Sequence, residues 1–413
     1  MGKNTLSIMP YYGGKARMAQ FIVDRLNYDD SDIYIEPFGG ACRTLLNKPR
    51  HKVEIYNDYG EGVSTVMYML SDWERARDYI YRLYETEYSE EQFNWAKEIY
   101  DSAEINLLQQ SGDVLIRELK SILVNYGVIH NNANIRVFKS FLEDEKSIHI
   151  LANIIKDETT TRRTQILKRL KDLLDDYNLV KDLEQERGLI ERSRDIGNYI
   201  SDMDLAVATY VLFTQSRDSM GKVWSSAKFK STDQYRERIL RLFDCAQRME
   251  GVLTYQIDAM DFFRWHVGIN RENELSNINK DYKIMLEWIH DPKVMMYCDP
   301  SYISPEDEEK LLKGIDWRNV DNISEEIKKR KLDNKPSNLG KVYAMSFEYE
   351  DHENFLKCIY DAGCKIMVSN YDLKLYNKYL TPANNWRRIE FETTTSVGGK
   401  AENRRTEVIW YNY

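Results

Sequence analysis

The feature that most constrains this chain is an interruption. Strand and helix patterning alternate from Ser7 to about Met67, stop, and resume only after Gly251. In the first stretch Met18, Phe21, Ile22 and Leu26 keep the spacing of one buried helix face after Gly13-Gly14. Asp32 to Phe38 (DIYIEPF) and Val53 to Asn57 (VEIYN) are short β-branched or aromatic runs that read as strands. After the interruption VLTYQID, VMMYCD, KIMVSN, WRRIEFE and RTEVIWY each predict a strand. The helix DHENFLKCIYDAG precedes KIMVSN, with Gly363 as its expected C-cap. The intervening block carries helical periodicity and much charge, as in WERARDYIYRLYETEY and LAVATYVLFTQ. The expectation is an α/β sheet, residues 1–68 and 251–413, with a helical domain inserted at 69–250.

Composition bounds the function classes. With 42% hydrophobic residues the chain can build a core, and no apolar run is long enough to cross a bilayer. The N-terminus MGKNTLSIMPYYGGK lacks a secretory apolar region, so a cytoplasmic protein without a membrane partner is expected. The five cysteines form no CxxC pair and the six histidines show no HxH or HxxxH spacing, which predicts reduced thiols and no metal. A net charge of −9 argues mildly against nucleic acid, yet basic residues cluster locally. Lys222, Lys228, Lys230, Arg236, Arg238 and Arg241 fall close together, and Lys328 to Lys331 reads KKRK. DNA binding requires a positive face rather than a positive protein; a solvated helix face is the alternative.

The sharpest chemical signal is Asp299-Pro300-Ser301-Tyr302, directly after the apolar run MMYC. Open α/β sheets bind ligands at the carboxyl ends of their strands, where this tetrapeptide falls. An exocyclic aromatic amine is a poor nucleophile because its lone pair is delocalised into the ring. A carboxylate (Asp299) and a backbone carbonyl (Pro300) accepting its two protons would push the nitrogen toward tetrahedral geometry. An aromatic face (Tyr302) would hold the flat base in line with a methyl donor. A strand end followed by a proline turn would also explain the tetrapeptide.

Its company adds weight. Glu36-Pro37-Phe38-Gly39-Gly40-Ala41-Cys42 follows the DIYI run, and paired glycines allow a sharp turn and close backbone approach to a ligand. Asp58 ends the next strand, where an acid can accept both hydroxyls of a ribose, although a turn aspartate is the plainer reading. Tyr11-Tyr12-Gly13-Gly14-Lys15 opens a helix and offers aromatic faces for a purine and an ammonium for a carboxylate.

Taken in order, YYGGK, YIEPFGGA, YNDY, YCDPSY, IMVSNYD and RRTEVIWYNY resemble the Dam-like (D12 class) DNA adenine-N6 methyltransferases. The resemblance covers roughly Met9 to Val66 and Gly251 to Tyr413. It implies an S-adenosylmethionine-dependent methyltransferase (Rossmann-like) sheet with a large inserted helical DNA-recognition domain, acting on double-stranded DNA. It implies that Tyr11, Tyr12 and Lys15 contact the cofactor, that Glu36, Phe38, Gly39 and Gly40 form the turn beneath it, and that Asp58 takes the ribose. Asp299, Pro300 and Tyr302 match the catalytic loop, with Asp299 also facing the cofactor; Asp258 looks like a further cofactor-side acid. Phe213 to Gly221 aligns loosely with a segment that approaches target bases, making Arg217, Lys222 and Lys228 candidates for DNA contacts, as are Arg404 and Arg405 before the last strand. The sequence departs from the pattern twice. Ser301 stands where the family usually has proline, which implies a less rigid loop, and Cys42 stands where many relatives have a glycine. The same loop chemistry would serve cytosine N4, an RNA adenine or a glutamine amide, and a non-catalytic DNA-binding relative is the remaining alternative.

Overall fold

The computed structural model describes residues 5–11, 18–26, 30–103, 201–217, 219–256, 259, 263, 290–331, 347–394 and 404–413; the side chains of 328–331, 393–394 and 404–405 lie outside the description. Seven strands form one sheet: β1 (Ile33–Glu36), β2 (Val53–Asn57), β3 (Leu253–Tyr255), β4 (Val294–Cys298), β5 (Lys365–Tyr371), β6 (Arg387–Thr394) and β7 (Arg404–Tyr411). Their order across the sheet is β3-β2-β1-β4-β5-β7-β6. The first five are parallel, and β7 runs antiparallel between β5 and β6. Such a mixed α/β sheet is consistent with the methyltransferase fold expected above.

Burial follows composition. β4, VMMYC, is buried along its whole length, as befits a parallel strand covered on both faces. β6 is the outer edge strand and reads RRIEFETT; its exposed Arg388 pairs with Asp372 and Glu390, and charge on an edge discourages pairing with another chain.

The helices follow legible signals. α1 (Ala19–Val23) buries Ala19, Ile22 and Val23, with Met18 and Leu26 buried at its flanks. α2 (Arg43–Asn47) and α3 (Glu61–Leu70) follow β1 and β2. α4 (Trp73–Tyr84) starts at Asp72, whose side chain accepts the N–H of Arg75. α5 (Asp202–Gln215) is buried continuously from Leu205 to Gln215. α6 (Thr232–Leu240) and α7 (Leu242–Met249) follow it. Past β4, α8 (Pro305–Leu312) begins with Ser304 as its cap and proline in its first turn. α9 (Ile323–Lys331), α10 (Tyr349–Ile359) and α11 (Lys374–Tyr379) complete the set used below.

A buried ion cluster fastens β2 to α7. Arg248 donates to both oxygens of Glu54, at 2.7 and 2.9 Å, and the Lys48 ammonium reaches the same carboxylate. Burial pushes the Glu54 carboxyl up, but Arg248 and Lys48 outweigh it and hold the carboxyl below its ordinary range. Burial in turn pulls the Lys48 ammonium down to about 8. Arg50 then caps the end of α7 by donating to the carbonyls of Gln247, Arg248 and Glu250.

The chain divides into two compact units, Met1–Lys97 with Asp202–Tyr413, and Glu98–Ser201. The helical stretch expected at 69–250 is therefore shared between them, with α4, α5, α6 and α7 in the unit that holds the sheet. Two local expectations are corrected. The strand read from VLTYQID is short, Leu253–Tyr255. Gly363 does not cap a helix: α10 ends at Ile359, and the positive-φ glycines among the described residues are Gly40, Gly221, Gly251 and Gly314. Glycine serves there for another reason, because a Cβ at 363 would lie 2.9 Å from the His290 carbonyl oxygen. Among the described residues no helix is long and apolar enough to cross a membrane, and no group of three or more His, Cys, Asp and Glu could hold a metal.

Candidate active site

The strand order sets where a ligand can sit. β1 hydrogen-bonds β2 on one side and β4 on the other, so the connections diverge between β1 and β4, and that switch point is where doubly wound sheets open a crevice. Ile33, Tyr34 and Ile35 pair with Val294, Met295 and Met296, which brings the ends of both strands to the same edge. The glycine turn leaves β1 and the Asp299 loop leaves β4 at that edge.

The turn is held by backbone and by steric exclusion. Gly39 donates its N–H to the Asn57 carbonyl at 2.8 Å, and the Asn57 side chain donates to the Pro37 carbonyl at 2.9 Å. Gly40 adopts φ +48, a left-handed conformation that favours glycine, and Cys42 follows with φ 58. A Cβ on Gly39 would come 2.1 Å from the fully buried Tyr56 ring. Tyr56 is itself pinned, its hydroxyl donating to the Gly40 carbonyl at 2.8 Å. Thus Cys42 keeps the turn where a glycine would be the easier residue.

Asp58 ties the ends of β1 and β2 together. One carboxylate oxygen accepts the N–H of Gly40 and the other that of Gly60, both at 2.8 Å. Burial raises the Asp58 carboxyl, while those two backbone donors oppose the rise. Each carboxylate oxygen has two lone pairs, so this arrangement leaves Asp58 the capacity to accept hydroxyls as well. The Tyr11 ring lies over the same turn: a Cβ on Gly40 would stand 3.3 Å from it, and its other side meets Phe213 edge-on at 5.6 Å. Phe38 turns away from this group, into an aromatic cluster with Phe263, Phe347 and Phe355.

Glu36 lies buried under the turn. The Tyr34 hydroxyl donates to it at 2.6 Å, and burial pushes its carboxyl up to about 7. The charge of Asp299 adds to the rise; the Tyr34 bond and the Lys48 charge oppose it. The Glu36 carboxyl therefore feels the Asp299 charge across the ends of β1 and β4.

On the β4 side the loop is held by side chains. Asp299 accepts the Ser369 hydroxyl at 2.8 Å, and Ser369 is 2.8 Å from the Tyr297 hydroxyl. Tyr302 packs edge-on against Tyr371 at 4.8 Å and directs its hydroxyl toward Glu407 at 3.4 Å. Burial, with the charges of Asp299 and Glu407, raises the Tyr302 phenol far above its ordinary value, so it stays protonated. Pro300 is buried. Ser301 uses the freedom that proline would deny it: its hydroxyl accepts the N–H of Phe347 at 3.3 Å, tying the loop to the approach of α10.

The arrangement joins a glycine turn, a carboxylate with hydroxyl-accepting capacity at the end of β2, and a carboxylate–tyrosine pair at the end of β4. Residues 11–115 match the family model of the D12 class N6 adenine-specific DNA methyltransferases. Over that stretch the chain is similar to the D12 class of N6 adenine-specific DNA methyltransferases. The match takes in Tyr11, the glycine turn and Asp58; the Asp299 loop lies beyond it. No curated protein matches the sequence.

The remaining site expectations fall in three places. Tyr12, Lys15 and Asp258 lie outside the described residues, as do the side chains of Arg404 and Arg405, whose backbone begins β7. Arg217 and Lys222 are exposed on a tight hairpin after α5, closed by the Ser216–Trp224 bridge. Lys228 is directed inward, donating to the Ser216 carbonyl at 2.7 Å and reaching the Phe213 carbonyl at 3.4 Å, near the carboxyl end of α5. Sequence reading missed Ser369, Tyr297 and Glu407. Tyr297 had a signal, since a strand residue two before Asp299 faces the same side. Ser369 had a weaker one, a hydroxyl directly after the apolar run Ile366-Met367-Val368 of β5.

Proposed function

We propose that the chain transfers a methyl group from S-adenosylmethionine to N6 of an adenine flipped out of duplex DNA. The observation that carries this reading is the shared edge of β1 and β4, where the glycine turn and the Asp299–Tyr302 loop stand side by side at the switch point. The family match supports adenine and DNA as the target class. Bound S-adenosylmethionine supplies an electrophilic methyl on a sulfonium. Tyr11 and the glycine turn would hold its nucleoside and Asp58 its ribose hydroxyls. Tyr12 and Lys15, by resemblance, complete that grip, and Glu36 and Asp258 are the further acids of the cofactor side.

The chain's own work is on the amine. Asp299 and the Pro300 carbonyl accept the two N6 protons and shift electron density onto the nitrogen, while Tyr302 braces the base. As the nitrogen–carbon bond forms and the sulfur–carbon bond breaks, one N6 proton must leave, and Asp299 is the acceptor at hand. Extrusion of the adenine is needed because its N6 is paired within the duplex. The exposed Arg217 and Lys222 are proposed as DNA contacts, with Arg404 and Arg405; Lys228 supports their hairpin from beneath. The helical stretch 69–250 is proposed as the target-recognition part.

Purified protein given radiolabelled S-adenosylmethionine is expected to label adenine-containing duplex DNA, and Asp299→Ala to abolish labelling. Label in RNA or protein alone would instead favour another planar amine as the acceptor. Cofactor binding without transfer to any of them would favour a non-catalytic DNA-binding protein.

A further inference from the structure

Behind Asp299 lies a set of hydroxyls that the reading above does not use. Ser369, fully buried on β5, stands between Asp299 Oδ1 and the Tyr297 hydroxyl, 2.8 Å from each. Proton inventory fixes the direction of this chain. The Asp299 oxygen accepts, and a serine hydroxyl has one proton to give. Ser369 therefore donates to Asp299, and Tyr297 must donate to Ser369. Burial, with the Asp299 charge next, raises the Tyr297 phenol far above its ordinary value, so its proton remains available to the chain.

We propose that Ser369, backed by Tyr297, is a positioning residue that sets the rotation of the Asp299 carboxylate for the methyl-transfer reaction; this rests on the role given to Asp299 above. A carboxylate on a short side chain turns about one broad torsion, so a single fixed donor on one oxygen decides where the other points. The donor stands on β5, which pairs with β4 in parallel register (Met296 with Ile366, Tyr297 with Met367, Cys298 with Val368), so its place is set by the sheet and not by a loop. Donation from Tyr297 polarises the Ser369 hydroxyl and strengthens its bond to the carboxylate.

The test compares Ser369→Ala, Ser369→Thr and Tyr297→Phe in the full chain. Outer partners that orient a functional ligand are worth about tenfold to a hundredfold in activity where they have been removed at metal sites, and the same scale applies to this donor. Ser369→Ala is expected to lose that much in kcat while the affinity for S-adenosylhomocysteine, measured by calorimetry, stays within about twofold of the unmodified protein. Ser369→Thr, which keeps the hydroxyl, is expected to restore most of the turnover, and Tyr297→Phe to lose less than Ser369→Ala. Crystal structures of the two Ser369 variants give a second reading that needs no activity. The Asp299 carboxylate should turn in the alanine variant and hold its orientation in the threonine variant. Unchanged kcat in Ser369→Ala, a threonine no better than alanine, or an unmoved carboxylate would each overturn the proposal. An unmodified protein that labels no DNA would overturn the methyl-transfer reading instead, and the two crystal structures would still decide the role of Ser369.

Discussion

The two halves of the candidate site are built on opposite principles. On the β1–β2 side the turn is defined by main chain: Gly39 admits no side chain, Gly40 takes a left-handed φ, and Asp58 spends both oxygens on backbone N–H groups. On the β4–β5 side the loop is defined by side chains reaching one another, Ser369 to Asp299, Tyr302 to Glu407, Phe347 to Ser301. Steric and backbone constraints fail abruptly, whereas a network of hydroxyls and carboxylates degrades in steps. Under the proposed function, the first suits a surface for a nucleoside-bearing cofactor and the second a group tuned toward one nitrogen.

The largest expected effect breaks the first half outright. Gly39→Ala drives a methyl into the Tyr56 ring, which is buried and hydrogen-bonded and has no room to yield, so a loss of about 3 kcal/mol or more is expected in urea unfolding. Glu36→Gln acts in the opposite direction and depends on pH. The Glu36 carboxyl stands at about 7, above its ordinary 4.5, so between those values the folded protein binds more protons than the unfolded chain. Its contribution to stability therefore falls as pH rises from 4.5 through 7 and is fully unfavourable above. The glutamine variant should exceed the unmodified protein by up to about 3 kcal/mol at pH 8 and by little at pH 4, read from unfolding midpoints at the two values. If Glu36 also faces the cofactor, the same variant loses S-adenosylhomocysteine affinity while gaining stability.

Asp58→Asn comes next. The amide retains one acceptor for the two backbone donors at Gly40 and Gly60, and a loss of about 1–2 kcal/mol is expected, together with weaker S-adenosylhomocysteine binding. Equal stability with unchanged ligand affinity would show that the two strand ends do not need this carboxylate. The smallest effect belongs to the second half. Glu407→Gln leaves an acceptor for the Tyr302 hydroxyl, so stability should change by under about 1 kcal/mol, with any loss confined to turnover. A collapse of the fold in this variant would erase the distinction between the halves.

The same contrast explains what could be read before the structure. The β1 turn was legible because glycines and an acid at the next strand end are local signals, each within a few residues of a recognisable strand. The Asp299 loop was legible because VMMYC is an unbroken buried run that must end somewhere, and a D-P-S-Y tetrapeptide ends it. Ser369 was not, because its meaning depends on pairing β4 with β5, and single-chain periodicity carries no information about which strands become neighbours. Gly363 was misread for a related reason: near a helix end a glycine suggests a cap, while here it makes room for the carbonyl of His290, distant in sequence. Cys42 was read only as a residue standing where many relatives have a glycine; that it takes a left-handed backbone conformation is a fact of φ, which composition does not encode. Lys228 was read as a candidate DNA contact, and its ammonium is directed to backbone carbonyls near the end of α5.

One further consequence follows from the place of β4 beside β1. On a ribosome the chain emerges from its N-terminus, and β1 and β2 are complete long before Val294 appears. Until then one margin of β1 has no partner, an apolar ribbon of the kind that recruits strands from other molecules. The intervening chain must be made, and then looped back, before that margin is sealed, which favours slow maturation over rapid collapse. The youngest form of this protein is thus its most vulnerable, and the strand that seals it is the one that delivers Asp299.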